Sequence, residues 1–133
     1  MKIYNKKIKL KTLPNKYFLI TDYVRDVVRK SGIINGFCIV SNLGSTGAVI
    51  INEYDPSLMD DLRNLLEKII PKEKDYNHPF NSYSHLRTML FGSSKIISIK
   101  DNDLELGTWQ EIIFLEFDIK QRSRNILVKV IGE

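Results

Sequence analysis

His78 and His85 are the only imidazoles in the chain, and they flank a polar, aromatic segment with no regular pattern. Irregular segments are where function tends to sit. Joined by a carboxylate such as Glu116 or Glu53, two imidazoles suit a divalent metal ion such as zinc, or an acid and base pair. Their spacing serves surface or helix-capping histidines equally well.

Glu116 is the carboxylate with the stronger claim. It follows Leu106-Gly107-Thr108-Trp109-Gln110 in a run, Leu104–Ile119, that reads as one long strand. Alternate residues of a strand share a face, so Thr108, Gln110, Ile112, Phe114 and Glu116 point one way, while Trp109, Glu111, Ile113, Leu115 and Phe117 point the other. A carboxylate beside Ile112 and Phe114 needs a cation, a metal or a raised pKa. Arg122 and Arg124 share a face just beyond it. They can form a solvated surface, pair with Glu116, or clamp a phosphate or carboxylate.

Four further groups qualify as binders. Asn52 and Glu53 end a strand on opposite faces, so one at most faces a pocket, and both also suit the turn into Asp55-Pro56. Ser45 and Thr46 offer hydroxyls and N–H groups to an anion, although Gly44-x-x-Gly47 is too short for a phosphate-loop fingerprint. No Ser/His/Asp order and no reactive-cysteine setting appears, so nucleophilic catalysis has no support.

The elements that must position these groups follow from periodicity. Lys2–Leu13 alternates as a first strand, Pro14-Asn15 turns, and Tyr17–Ile20 continues extended. A short helix then starts from Thr21 as N-cap, presents Tyr23, Val24, Val27 and Val28, and stops at Gly32. Ile33–Ser41 and Ala48–Glu53 read as strands. Asp55 caps a second helix with Pro56 in its first turn, Leu58, Leu62, Leu65, Leu66 and Ile69 as its apolar stripe, and Pro71 as its end. A third helix begins after Ser84, with Leu86, Met89 and Leu90 inward and Gly92 closing it. Lys95–Ile99, Leu104–Ile119 and Asn125–Ile131 complete the strands, with Asp101-Asn102-Asp103 as a turn. The pattern is α+β with mostly antiparallel strands.

The chain's 133 residues, 43% of them hydrophobic, fit one domain spanning 1–133. Its single cysteine, Cys38, lies in an apolar run and cannot form an internal disulfide, which fits a reducing, cytoplasmic setting. No run is apolar enough to span a bilayer, so no membrane is expected. The net charge of +4 permits attraction to phosphates. Lys2, Lys6, Lys7, Lys9 and Lys11 alternate with apolar residues as on the solvent face of an edge strand, and few aromatics interleave them, so nucleic-acid binding is the least supported of the alternatives.

Taken in order, these motifs resemble the YjbQ family across nearly the whole chain. Leu106–Gln110 with Glu116 resembles its C-terminal signature, and Ser45-Thr46-Gly47-Ala48-Val49-Ile50-Ile51-Asn52-Glu53 resembles its T-T-A-x-x-T-x-N-E strand. Asp55-Pro56, Tyr76-x-His78, Ser84-His85-Leu86 and Gly92-Ser93-Ser94 fall in the same order. The resemblance implies a β-sandwich-like core flanked by helices and a homotrimer about a three-fold axis. It further implies a small phosphorylated or anionic ligand near His78, His85 and Glu116, with a thiamine-phosphate synthase activity ascribed to some members. In that role the histidines ligate metal or move protons, Arg122 or Arg124 holds phosphate, and Gln110 or Asn52 orients the ligand. Two departures point to a depleted, non-catalytic ligand-binding or scaffold version. Gly44 stands where relatives carry a histidine, and the segment between His78 and His85 is shorter and lacks their paired aspartates.

Overall fold

The computed structural model describes residues 1–133. Eleven elements follow in chain order: β1 (Lys2–Thr12), β2 (Tyr17–Leu19), α1 (Thr21–Ser31), β3 (Gly36–Asn42), β4 (Gly47–Asn52), α2 (Pro56–Ile69), α3 (Ser82–Phe91), β5 (Ser94–Lys100), β6 (Asp103–Leu104), β7 (Glu111–Glu116) and β8 (Arg122–Gly132). The strands form a five-stranded sheet, β1-β8-β3-β5-β6, and a three-stranded sheet, β2-β7-β4. Every pairing is antiparallel. The architecture is thus the expected α+β sandwich, with Ile8, Val40, Val128, Ile112, Phe114 and the α1 valines in the core between the sheets.

A second core lies on the other face of the small sheet. Ile113, Leu115 and Phe117 there meet Met59 and Leu66 of α2, with Phe91 of α3 against them. β7 is therefore buried on both sides, which explains its unbroken apolar run Ile112–Leu115. Each such side chain contributes roughly 1.5 to 3 kcal/mol by leaving water. Cys38 sits in the first core, and burial pushes its thiol up to about 11 against a backbone hydrogen bond with Ile97. All five lysines of β1 are exposed on its edge strand.

Local signals hold where they are chemically specific. The Asp55 carboxylate accepts from the Leu58 N–H with Pro56 following it, and Gly32 ends α1 at φ 70°. Elsewhere the structure corrects the reading. Thr21 is the first residue of α1 rather than its cap, because its hydroxyl is committed to β7, donating to Glu111 and accepting from the Ile112 N–H. That anchor turns Thr21 inward and leaves Tyr23 exposed.

The run Leu104–Ile119 is not one strand. It breaks after Leu104, and a turn closes at Gly107, whose N–H donates to the Gln110 side chain while its carbonyl accepts from the Gln110 N–H. Trp109, 72% exposed, sits on that turn. The parity assigned from Ile112 onward still holds, since Ile112 and Phe114 face one core and Ile113, Leu115 and Phe117 the other.

The helices α2 and α3 depart further. Of the expected α2 stripe Leu66 is buried and Leu62 half-buried, but Leu58, Leu65 and Ile69 are exposed, and Met59 is buried in their place. On α3, Leu86, Met89 and Leu90 point outward while Ser84, Arg87 and Thr88 are buried. The inward side of α3 is polar because Arg87 reaches the end of α2, donating to the Ile70 carbonyl and to Glu67, and Thr88 bonds back to the Ser84 carbonyl. No helix is long and apolar enough to cross a membrane.

Candidate functional site

β7 and the start of β8 place Glu116 and Arg124 between the sheets, on the Phe114 side. Glu116 is fully buried and Arg124 is 7% exposed. The pair is bidentate, with Arg124 Nε donating to Oε1 at 2.8 Å and Nη2 to Oε2. Thr12 Oγ1 also donates to Oε1, and the Asp118 N–H to Oε2 at 3.0 Å. Arg124 Nη2 continues to the Thr46 hydroxyl and carbonyl, at 2.8 and 3.0 Å. The partner that strand parity demanded for Glu116 is Arg124.

A second ion pair lies beside the first. Arg122 Nε donates to Asp118 Oδ2 at 2.6 Å, and the Thr46 hydroxyl donates to the same oxygen at 2.9 Å. Burial raises the Asp118 carboxyl, but hydrogen bonds from Arg122, the Ile119 N–H and Thr46, with the charge of Arg122, outweigh it and hold the group below its ordinary value. Thr12 and Asp118 were not singled out in the sequence. Asp118 had a signal, lying two residues from Glu116 and four before Arg122, whereas Thr12 had none short of the β1–β8 register.

Around this buried network opens a cleft of about 370 Å³, lined by Leu43, Gly44, Ser45, Thr46, Asn81, His85, Arg122, Ser123, Arg124 and Asn125. No carboxylate lines it. Arg124 Nη1 and both terminal nitrogens of Arg122 make no hydrogen bond within the chain. The N–H groups of Gly44, Ser45 and Thr46 are likewise unused by other backbone groups. Gly44 makes room for the guanidinium, since a Cβ there would stand 2.8 Å from Arg124 Nη1. An adjoining cleft, sharing Ser123, Arg124 and Asn125, adds Lys9 and Lys11.

The remaining candidates fall in different places. His85, in the first turns of α3, is half-buried on the cleft, and exposed His78 packs edge-on against it with ring centroids 5.1 Å apart. Glu116 does not join them as a metal ligand. Four donors already fill its two oxygens, and no three His, Cys, Asp or Glu side chains of one chain gather closely enough to hold a metal ion. The donor set His78, His85 and Glu116 therefore does not fit a zinc ion in this chain. Asn52 is exposed, accepts from the Glu53 N–H and borders an apolar groove instead, and Glu53 is exposed. Gln110 is spent on the turn at Gly107.

Comparison with known proteins gives a consistent answer. Residues 6–133 match a family model described as UPF0047 protein YjbQ-like. A UPF0047 protein of Methanothermobacter thermautotrophicus is 36% identical over 100% of this chain and 95% of its own length. One from Methanocaldococcus jannaschii is 39% identical over 86% of this chain and 83% of its own. The fold is similar to the crystal structure of a protein of unknown function from Sulfolobus solfataricus, with a TM-score of 0.95 at 31% identity, covering 99% of both chains. An uncharacterized relative from Clostridium acetobutylicum gives a TM-score of 0.90 at 39% identity, covering 95% of this chain and 99% of its own.

Proposed function

The chain belongs to the UPF0047 YjbQ-like family, and on that premise we propose that it binds a small phosphorylated or otherwise anionic ligand in the cleft at His85, Arg122 and Arg124. The observation that carries this reading is the lining. Two guanidinium groups, an imidazole and the loop Gly44–Thr46, whose N–H groups no backbone carbonyl takes, line it with no carboxylate among them. A phosphate accepts several hydrogen bonds at once, and clustered backbone N–H groups and arginine forks are the donors it favours.

Each residue then has a defined task. Glu116 and Asp118 hold Arg124 and Arg122 by their Nε edges, which leaves the outer nitrogens free for the ligand. His85 offers a ring nitrogen to the ligand, with His78 packed against it. If the ligand is turned over, the chemistry is of the thiamine-phosphate synthase type, and His85 is the acid or base. Gly44 in place of an imidazole favours the second reading, a non-catalytic ligand-binding protein.

We propose further that the working form is a homotrimer in the cytoplasm. Supporting self-association, Leu58, Leu65, Ile69, Met89 and Leu90 lie exposed on α2 and α3, beside an apolar groove of about 420 Å³. Light scattering at micromolar concentration should give three times the chain mass, and a monomer rejects this part.

The ligand reading is tested by titrating small phosphate monoesters into the wild type and His85→Ala. Saturable binding is expected, weakened roughly tenfold in the variant by loss of a charge-assisted hydrogen bond worth about 1.5 kcal/mol. Equal affinity in both proteins sinks it.

A further inference from the structure

Asp118, which bonds two residues of the His85 cleft, also lines a separate cavity of about 150 Å³ together with Lys72, Tyr83 and Arg87. Arg87 is the largest fully buried side chain of the molecule, at 2% exposure. Three of its hydrogen bonds have a structural purpose. Nε and Nη2 donate to the Ile70 carbonyl at 3.1 and 2.7 Å, and Nη2 donates to Glu67 at 3.1 Å, which ties down the end of α2 where carbonyls lack helical partners. Those bonds use one edge of the guanidinium. Nη1 makes none within the chain and is not sealed from solvent, so it is available to an incoming acceptor.

Two further donors line this cavity. Lys72 forms no ion pair, and the Tyr83 ring packs 5.1 Å from the Arg87 guanidinium with its hydroxyl beside Ser84. Asp118 is the single carboxylate on the wall, and it is committed elsewhere. Its Oδ2 takes Arg122 and Thr46, and its Oδ1 takes the Ile119 N–H at 2.6 Å. Capping α2 accounts for Nε and Nη2, but not for setting Nη1 on a cavity with a second cation and a phenol.

We infer that this cavity is a second anion site, taking the oxyanion head group of a small molecule on Arg87 Nη1, Lys72 Nζ and the Tyr83 hydroxyl. The cavity has room for several water-sized groups, enough for a carboxylate or a phosphate but not for a large metabolite. Phe117 and Ile119 close it with apolar surface. The site uses none of the donors of the His85 cleft, so it stands whether or not that cleft binds its ligand.

Titration of 15N-labelled protein with inorganic phosphate, and separately with acetate, at constant ionic strength tests the inference. The Arg87 Nε–H signal and the Lys72 and Ile119 amides should shift saturably with one or both anions, and which of them saturates tells the head group. Arg87 is too deeply placed to mutate safely, so the variants are Lys72→Ala at an exposed position and Tyr83→Phe. Lys72→Ala should weaken this binding roughly tenfold, as for one lost charge-assisted bond, and leave responses at Gly44–Thr46 unchanged. His85→Ala should leave the Arg87 response unchanged. No saturable shift at Arg87 with either anion overturns the site, as does a response that neither variant at Lys72 or Tyr83 alters.

Discussion

The chain holds two groups of ionisable residues that sequence alone treats as one site, and the fold handles them in opposite ways. Glu116, Arg124 and Asp118 are buried in a network that the 41% exposed Arg122 joins through Nε, and every carboxylate oxygen in it has a donor. His78 and His85 stand at the solvent margin, touching each other and tied to little else. A buried charge is held by partners or not at all, whereas an exposed imidazole remains free to meet a ligand. The network sets where the guanidinium edges point, and the histidine side leaves the cleft open. Position relative to the two sheets, rather than residue type, separates the frame from the groups that remain available.

The most forceful way to break this contrast is to remove charge from the frame. Glu116→Gln keeps the shape but leaves Arg124 buried without its counter-ion, and should cost about 3 to 5 kcal/mol in urea unfolding. Pairing it with Arg124→Met should recover much of that loss, since a neutral pair carries no desolvation penalty. A loss under about 1 kcal/mol for the single variant contradicts a structural role.

Gly44→Ala comes next. Its Cβ would crowd Arg124 Nη1, whose guanidinium is pinned by Glu116 and cannot retreat freely. A cost of about 1 to 3 kcal/mol is expected, as for other overpacked sites, with weaker anion binding beside it. Unchanged stability and unchanged affinity together would show that the guanidinium has slack.

A smaller effect lies in acid. Asp118 binds its proton less tightly in the folded chain than in the unfolded one, so its contribution is complete above the unfolded value, near pH 4, and is lost as pH falls through the lower folded value. Asp118→Asn should flatten the acid limb of a stability-against-pH curve, and an unaltered limb would remove this residue from the account. The least effect belongs to the exposed side of the comparison. His78→Ala should change stability by about 0.5 kcal/mol or less, and a larger loss would place His78 in the frame.

How much of this was legible depends on how local each cause is. The Asp55-Pro56 start of α2, the Gly32 stop and the alternation of β1 are written within a few residues, and each appears where the chain chemistry puts it. Strand parity alone required a partner for Glu116. Which partner, and the contributions of Thr12 and Thr46, depended on a register between residues 104 apart in sequence. The break at Gly107 was hidden by the apolar residues on either side of it.

The inversion of α3 has a different cause. Periodicity turns Leu86, Met89 and Leu90 inward on the premise that apolar residues seek the chain's own core, yet Arg87 wins the inward position by capping α2. An apolar face left outward by such a competition is invisible to periodicity, because the period is the same whichever side is buried. The metal reading of His78, His85 and Glu116 failed for a related reason. Sequence supplied suitable ligand types but not the four donors that occupy Glu116.

Calorimetric titration of inorganic phosphate at fixed ionic strength tests the central contrast most directly, comparing the wild type, His78→Ala and the double variant His85→Ala/Arg122→Gln, each shown to be folded by urea unfolding. The account predicts saturable binding in the wild type, little change in His78→Ala, and an affinity at least about tenfold weaker in the double variant, which stays folded but less stable for the loss of the Asp118 counter-ion. No phosphate binding in the wild type, or equal binding in all three, would contradict the assignment of the open cleft as the functional side of the molecule.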